Sequence, residues 1–226
     1  MNPRGLFLAC VSCISMSLAN ADEERRVAVI DLSGSALLAT EASRSVLDYV
    51  VQCALPDGTT AEAKYLDQEF QFRGAMGIAP DWRARALTNE EQAAVSACLL
   101  ARTNAFGVPV QISLRSGEGP LAQLSSFATS EAERRTFPVF EGAFFGNVFL
   151  RTPHAYTCRG DTSGSTERVL RRFKRICTLP TEQRTPEGRP VSACGFIVLG
   201  RCDDPDVKRI KADFANAVAE VYLPIE

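Results

Sequence analysis

The sequence predicts a single α+β domain with a mixed sheet, a C-terminal βαβ unit, a closing helix and three disulfides. Three observations carry that expectation. The 226-residue chain is 46% hydrophobic and 23% charged, an ordinary globular balance without collagen-like, coiled-coil or disorder-prone bias. Segments with helical and strand periodicity follow one another along it. Six cysteines remain beyond residue 21, and an even number suits a disulfide framework. With 25 basic and 27 acidic residues the formal charge is −2, which gives no electrostatic case for a nucleic-acid partner. One histidine in the whole chain argues against a histidine base and against a His-rich metal site.

The chain opens on an address. Residues 1–21 (MNPRGLFLACVSCISMSLANA) place Arg4 before an apolar run, then Ala19-Asn20-Ala21 before Asp22-Glu23-Glu24. That is the three-part pattern of a secretory signal cleaved near Ala21. The run falls short of the ~20 apolar residues of a membrane-spanning helix. An uncleaved anchor or a buried first helix is the rival reading of the same residues. Cys10 and Cys13 have redox-motif spacing, but they lie in the part to be removed and lack a βαβ setting. The mature chain, residues 22–226, is then one disulfide-stabilised domain in the periplasm or the medium, with no further membrane-spanning stretch.

The elements follow in order. Residues 26–32 (RVAVIDL) read as a strand. Residues 41–54 carry Val46, Val50 and Cys53 on one helical face. Asp57-Gly58 is a turn signal before a strand at 59–65, and 70–85 read as irregular. Thr88 to Glu91 forms a capping box, with Ala94, Val95, Cys98 and Leu99 at helical spacing behind it. A cysteine on the apolar face of each of two helices favours Cys53–Cys98. Residues 108–115 alternate like a strand. Residues 136–145 and 148–151 flank Gly146-Asn147 as a hairpin. Residues 154–158 read as a strand, 166–176 as a helix with Val169, Leu170, Phe173 and Ile176 inward, and 195–200 as a buried strand. Asp204-Pro205 then opens an amphipathic helix through Val207, Ile210, Phe214, Val218 and Val221.

Geometry prunes the remaining disulfides. Cys194 and Cys202 are separated by a strand spanning ~26 Å at ~3.3 Å per residue, whereas a disulfide needs Cα atoms within ~7 Å. In a parallel strand–helix–strand unit, Cys158 and Cys202 both lie just past strand C-termini. Cys177 and Cys194 meet at the opposite end. The pairs expected are therefore Cys158–Cys202 and Cys177–Cys194. Zinc is a poor rival, because no mature pair has C-x₂₋₄-C spacing. No metal and no cofactor are expected.

Several motifs invite a functional reading. Residues 158–164 (CRGDTSG) resemble the Cys-x-Gly-Asp-Ser-Gly-Gly nucleophile segment of trypsin-like serine proteases. Thr162 stands in the nucleophile's place, however, and His154 is only four residues upstream, so the triad has no source. Arg159-Gly160-Asp161 is also the tripeptide of some integrin ligands, a match short enough to arise by chance. Physically sounder is an anion site at a strand-to-helix loop, built from Arg159, Gly160, Ser163, Gly164, Ser165 and Thr166, with Arg171 and Arg201 nearby. An ordinary capped turn is the bland alternative. Arg168, Arg171, Arg172, Lys174 and Arg175 make the next helix basic, either for an acidic partner or as a solvated face. Phe137, Phe140, Phe144, Phe145 and Phe149 would stack on sugars if exposed, but aromatics at both strand parities read better as core on two faces. Trp82 reads as packing. Glu141 and Asp161 are carboxylates that nothing in their spacing brings together.

Residues 74–82 (GAMGIAPDW) and 96–108 (SACLLARTNAFGV), with 141–146 (EGAFFG) and the C-terminal cysteines, resemble segments of uncharacterised exported bacterial proteins. The resemblance implies a bacterial, exported origin and brings no activity. The function expected is an extracytoplasmic, disulfide-stabilised binding or interaction protein for an anionic glycan, a lipid headgroup or an acidic protein. The alternatives are a hydrolase of envelope or extracellular polymers working without a histidine base, and a purely structural envelope component.

Overall fold

The computed structural model describes residues 36–117, 119–124, 127–160 and 163–225. The expected signal at 1–21 and strand at 26–32 lie outside them. Helix α1 (Glu41–Ala54) starts where the Thr40 hydroxyl accepts the Ser43 amide, and it buries Val46, Leu47, Val50, Val51 and Cys53. Helix α2 (Asn89–Arg102) begins with both capping-box bonds, from the Glu91 amide to Thr88 Oγ1 and from the Thr88 amide to the Glu91 carboxylate. Every residue from Gln92 to Ala101 is buried, so this helix is wrapped on all sides. Cys53 joins Cys98 with Cα atoms 6.0 Å apart, tying α1 to α2.

Strands β1 (Thr60–Tyr65) and β2 (Gln68–Arg73) form an antiparallel hairpin. Most of β2 falls within the segment 70–85 expected to be irregular. Only Phe72 of β2 is buried, so the strand exists through its pairing with β1 and leaves little apolar pattern.

The other seven strands make one mixed sheet. They are β3 (Ser113–Arg115), β4 (Val139–Asn147), β5 (His154–Arg159), β6 (Pro180–Arg184), β7 (Pro190–Ser192), β8 (Ile197–Arg201) and β9 (Ala219–Leu223), in the order β3-β9-β4-β5-β8-β7-β6. Between β3 and β4 lies the short helix α3 (Glu131–Thr136). Strands β5 and β8 run parallel, which is the expected crossover. Besides helix α4 (Gly164–Arg172) it contains the β6–β7 hairpin, which extends the sheet outward. Cys158 joins Cys202 at 4.9 Å between Cα atoms, and Cys177 joins Cys194 at 5.1 Å. All three pairs are those that the geometric argument favoured.

Three expectations change. The closing helix α5 (Pro205–Ala212) is short, and the chain returns as β9 between β3 and β4. Ala215 and Asn216 both take positive φ, 53° and 55°, which ends the helix. Beyond them Ala219, Val221 and Leu223 are buried while Glu220 and Tyr222 are half-exposed, a strand alternation. The hairpin expected around Gly146-Asn147 is displaced. Both residues belong to β4, which pairs with β5 after a turn at 148–153. Strand β3 keeps only the end of the segment expected at 108–115.

The sheet is covered on both faces. Phe144 points into the large core with α1, α2, Phe196 and Val221, whereas Phe145 joins Ala143, Cys158, Val207 and Val218 on the other side. Both rings are fully buried, as aromatics of both strand parities require when each face of the sheet is covered. Trp82 is part of the large core.

Candidate functional site

Helix α4 ends in a way that the sequence pattern did not show. The Arg175 amide donates to the Leu170 carbonyl and the Lys174 amide to the Arg171 carbonyl, with Lys174 at φ 57°. This is a Schellman stop with lysine where glycine is usual. It turns the Arg175 side chain away from the basic surface and into the core. The helix expected over 166–176 therefore stops at Arg172, and Arg175 is not part of a solvated face.

Arg175 meets Glu141 there. Glu141 is the residue at which β4 slips in register against β9, a bulge that re-aims a side chain. Arg175 Nε donates to Glu141 Oε2 at 2.9 Å, and its two terminal nitrogens donate to the carbonyls of Thr103 and Ala101, each at 2.8 Å. One guanidinium thus binds a buried carboxylate and closes the C-terminal end of α2, where a cation also suits the helix dipole. The two side chains are 1% and 0% exposed. Burial pushes the Glu141 carboxyl above its usual range, and Arg175 pulls it back only in part. Oε1 of Glu141 and Oγ1 of Thr178 have no hydrogen-bond partner among the described residues. Glu141 is sealed from solvent, so it cannot act as an acid or base on a polymer. Asp161, its suggested companion, lies outside the described residues.

The strand-end loop is the other locus. Arg159 on β5 and Arg201 on β8 stand directly beside each other across the parallel pair. Cys158 and Cys202, joined to each other, flank them. Ser163 caps α4 by accepting the Thr166 amide, and its hydroxyl also contacts Ser165 Oγ. Of the backbone amides expected to face an anion, two are used internally: Thr166 donates to Ser163, and Gly160 donates to the Glu141 carbonyl at 3.1 Å. The Gly160 backbone lies so close to Phe140 that an added Cβ would sit 2.5 Å from its carbonyl oxygen, which accounts for glycine there. Gly164 and Ser165 amides find no acceptor among the described residues.

The arginines differ in availability. Arg201 is held by Asp203 through two bonds of 2.9 and 2.8 Å, and its amide donates to Asp204. That contact also diverts Asp204 from capping α5, which has no side-chain cap. Arg171 is bound by Glu167. Nε of Arg159 is buried with no hydrogen-bond partner among the described residues. Asp161 and Thr162, central to the protease-like and Arg-Gly-Asp readings, lie outside the described residues. His154 packs against Tyr156 and Phe214.

The sequence reasoning missed the Arg175–Glu141 pair because the partners are far apart in the chain and each sits in a segment with another evident reading. Among the described residues no three His, Cys, Asp or Glu side chains cluster as metal ligands, and no helix is long and apolar enough to cross a membrane. Comparison with protein-family models, with curated proteins and with solved structures returns no match.

Proposed function

We propose that the protein works outside the cytoplasm, delivered there by residues 1–21, as a binding protein for an anionic partner. Three disulfides fit an oxidising compartment. The observation that carries the binding reading is the pairing of Arg159 with Arg201 across parallel strand ends. Like charges directly opposite each other on a sheet repel; Asp203 answers Arg201, and an anion beside it answers Arg159, whose buried Nε has no hydrogen-bond partner among the described residues. The flanking disulfide holds the two strand ends together, and the first turn of α4 supplies the Gly164 and Ser165 amides. Crevices beyond parallel strand ends are where open α/β sheets take ligands. The partner classes that suit this chemistry are an anionic glycan, a lipid headgroup or an acidic protein segment.

Retention on a sulfated-oligosaccharide matrix, on phosphatidylglycerol vesicles and on an acidic peptide tests the reading and separates the three sources. Arg159→Gln and Arg171→Glu should each weaken salt-sensitive retention on the same one of these probes, with the thermal midpoint unchanged. Retention that ignores both substitutions removes the strand-end site. Non-reducing peptide mapping of protein from its native host tests export: free thiols throughout, or an intact first 21 residues in cytosolic material, would remove the compartment.

A further inference from the structure

The turn between β1 and β2 has two residues, because Tyr65 pairs with Gln68. In such turns a position with positive φ is normally Gly, Asn or Asp. Here it is Leu66, at φ 53°, a conformation that crowds a Cβ against the backbone. The residue is also 80% exposed. Neither core packing nor turn chemistry selects leucine at this position. A backbone outlier that gains nothing locally is reason to look for a role.

A groove of about 320 Å³ lies against it, lined by Leu38, Ala39, Arg44, Tyr65, Asp67 and Gln68 together with Leu66 itself. Arg44 donates to the Leu38 carbonyl and lies over the Phe70 ring. Neither Arg44 nor Asp67 forms an ion pair among the described residues. An apolar knob, a hollow and two opposite charges therefore share one surface. A surface that carries both a knob and a hollow, and both charge signs, can meet a copy of itself, which is what a two-fold contact requires.

We propose that the protein forms a two-fold dimer through this hairpin. Leu66 of each copy enters the groove of the other, and the Arg44 of each faces the Asp67 of the other. The seven residues that line the groove are few beside the roughly 20–30 per side of a standard interface, so the association is weak and concentration-dependent. The presence of both charge signs favours a second copy over a partner of one charge. The inference is independent of the strand-end reading, since it involves neither Arg159 nor Arg201.

Sedimentation equilibrium of the full chain from micromolar to millimolar concentration tests it. Wild type should dimerise. Leu66→Asn, which suits the left-handed turn, should keep or raise the thermal midpoint while weakening dimerisation by about thirtyfold or more, the mark of a binding hot spot. Asp67→Lys should weaken it too, and Asp67→Lys with Arg44→Asp should recover part of the loss. A wild type that stays monomeric throughout overturns the proposal, as does a Leu66→Asn protein that dimerises as wild type does. Concentration-independent protection of the groove from hydrogen exchange, lost on deleting residues 22–35, also overturns it by giving the groove to the chain's own N-terminal segment.

Discussion

Two places in this molecule set an arginine against a carboxylate at nearly the same distance. Arg175 meets Glu141 at 2.9 Å in the interior, and Arg201 meets Asp203 at 2.8 Å on the surface. The exposures are 1% and 0% in the first pair and 50% and 63% in the second. The two carboxyls respond in opposite directions. The hydrogen bond from Arg201 holds Asp203 below the usual carboxylate range, whereas burial pushes Glu141 above it despite the ion pair. Contact distance is therefore a poor guide to what an ion pair contributes. Where water has been removed, each charge depends on its partner; where water remains, the solvent can replace the partner.

The sharpest test of that contrast is to remove one member of the interior pair. Arg175→Ala leaves Glu141 buried without a cation and opens the carbonyls of Ala101 and Thr103 at the end of α2. Breaking a buried pair from one side costs about 3–5 kcal/mol, a large part of the ~5–15 kcal/mol by which a domain is stable. Urea denaturation should show this loss. The double variant Arg175→Met, Glu141→Leu should recover much of it, because no charge is then stranded. A single substitution that costs under ~1 kcal/mol would place Arg175 with the surface arginines and dissolve the contrast.

Acidity offers a second, smaller test. The Glu141 carboxyl is raised in the folded protein, so the folded state holds its proton to higher pH than the unfolded chain, whose value is near ~4.3. Its stabilising contribution is complete below that unfolded value and is lost as pH rises through the folded one. Wild type should therefore gain stability relative to Glu141→Gln as the pH is lowered from neutral toward the unfolded value. Paired urea denaturations of the two proteins across that range measure it. Wild type that instead loses stability relative to Glu141→Gln on acidification would mean that Arg175 outweighs burial.

The same contrast explains what could be read before any coordinates. Disulfide pairing was legible because it follows from reach: a strand is too long to fold Cys194 onto Cys202, and a parallel unit has two distinct ends. The helices at 41–54 and 89–102 were legible because caps and apolar spacing are local. The end of α4 was not, because Lys174 adopts the left-handed conformation without being glycine, so no residue type marked the stop. The course of 213–223 misled, because Phe214, Val218 and Val221 satisfy a helical period while Ala219, Val221 and Leu223 satisfy a strand period. Only tertiary pairing with β3 and β4 decides between them. In the strand-end site the residue types were legible, but which were already engaged was not. Asp203 and Glu167 hold Arg201 and Arg171, and those bonds depend on side-chain geometry.

The smallest effect belongs to Asp203. Its carboxylate is lowered by Arg201 and exposed to solvent, so Asp203→Asn should leave the urea midpoint at pH 7 unchanged within measurement error. Water replaces what Arg201 loses. The informative readout is binding. Asp203 competes for the guanidinium that the proposed anion would use, so neutralising it should strengthen retention on the responsive anionic probe by about twofold at low salt. That gain should vanish as salt is raised and should require Arg159. A gain that persists in Arg159→Gln would trace to the altered net charge of the surface, and the register of Arg159 with Arg201 would then have no part in it.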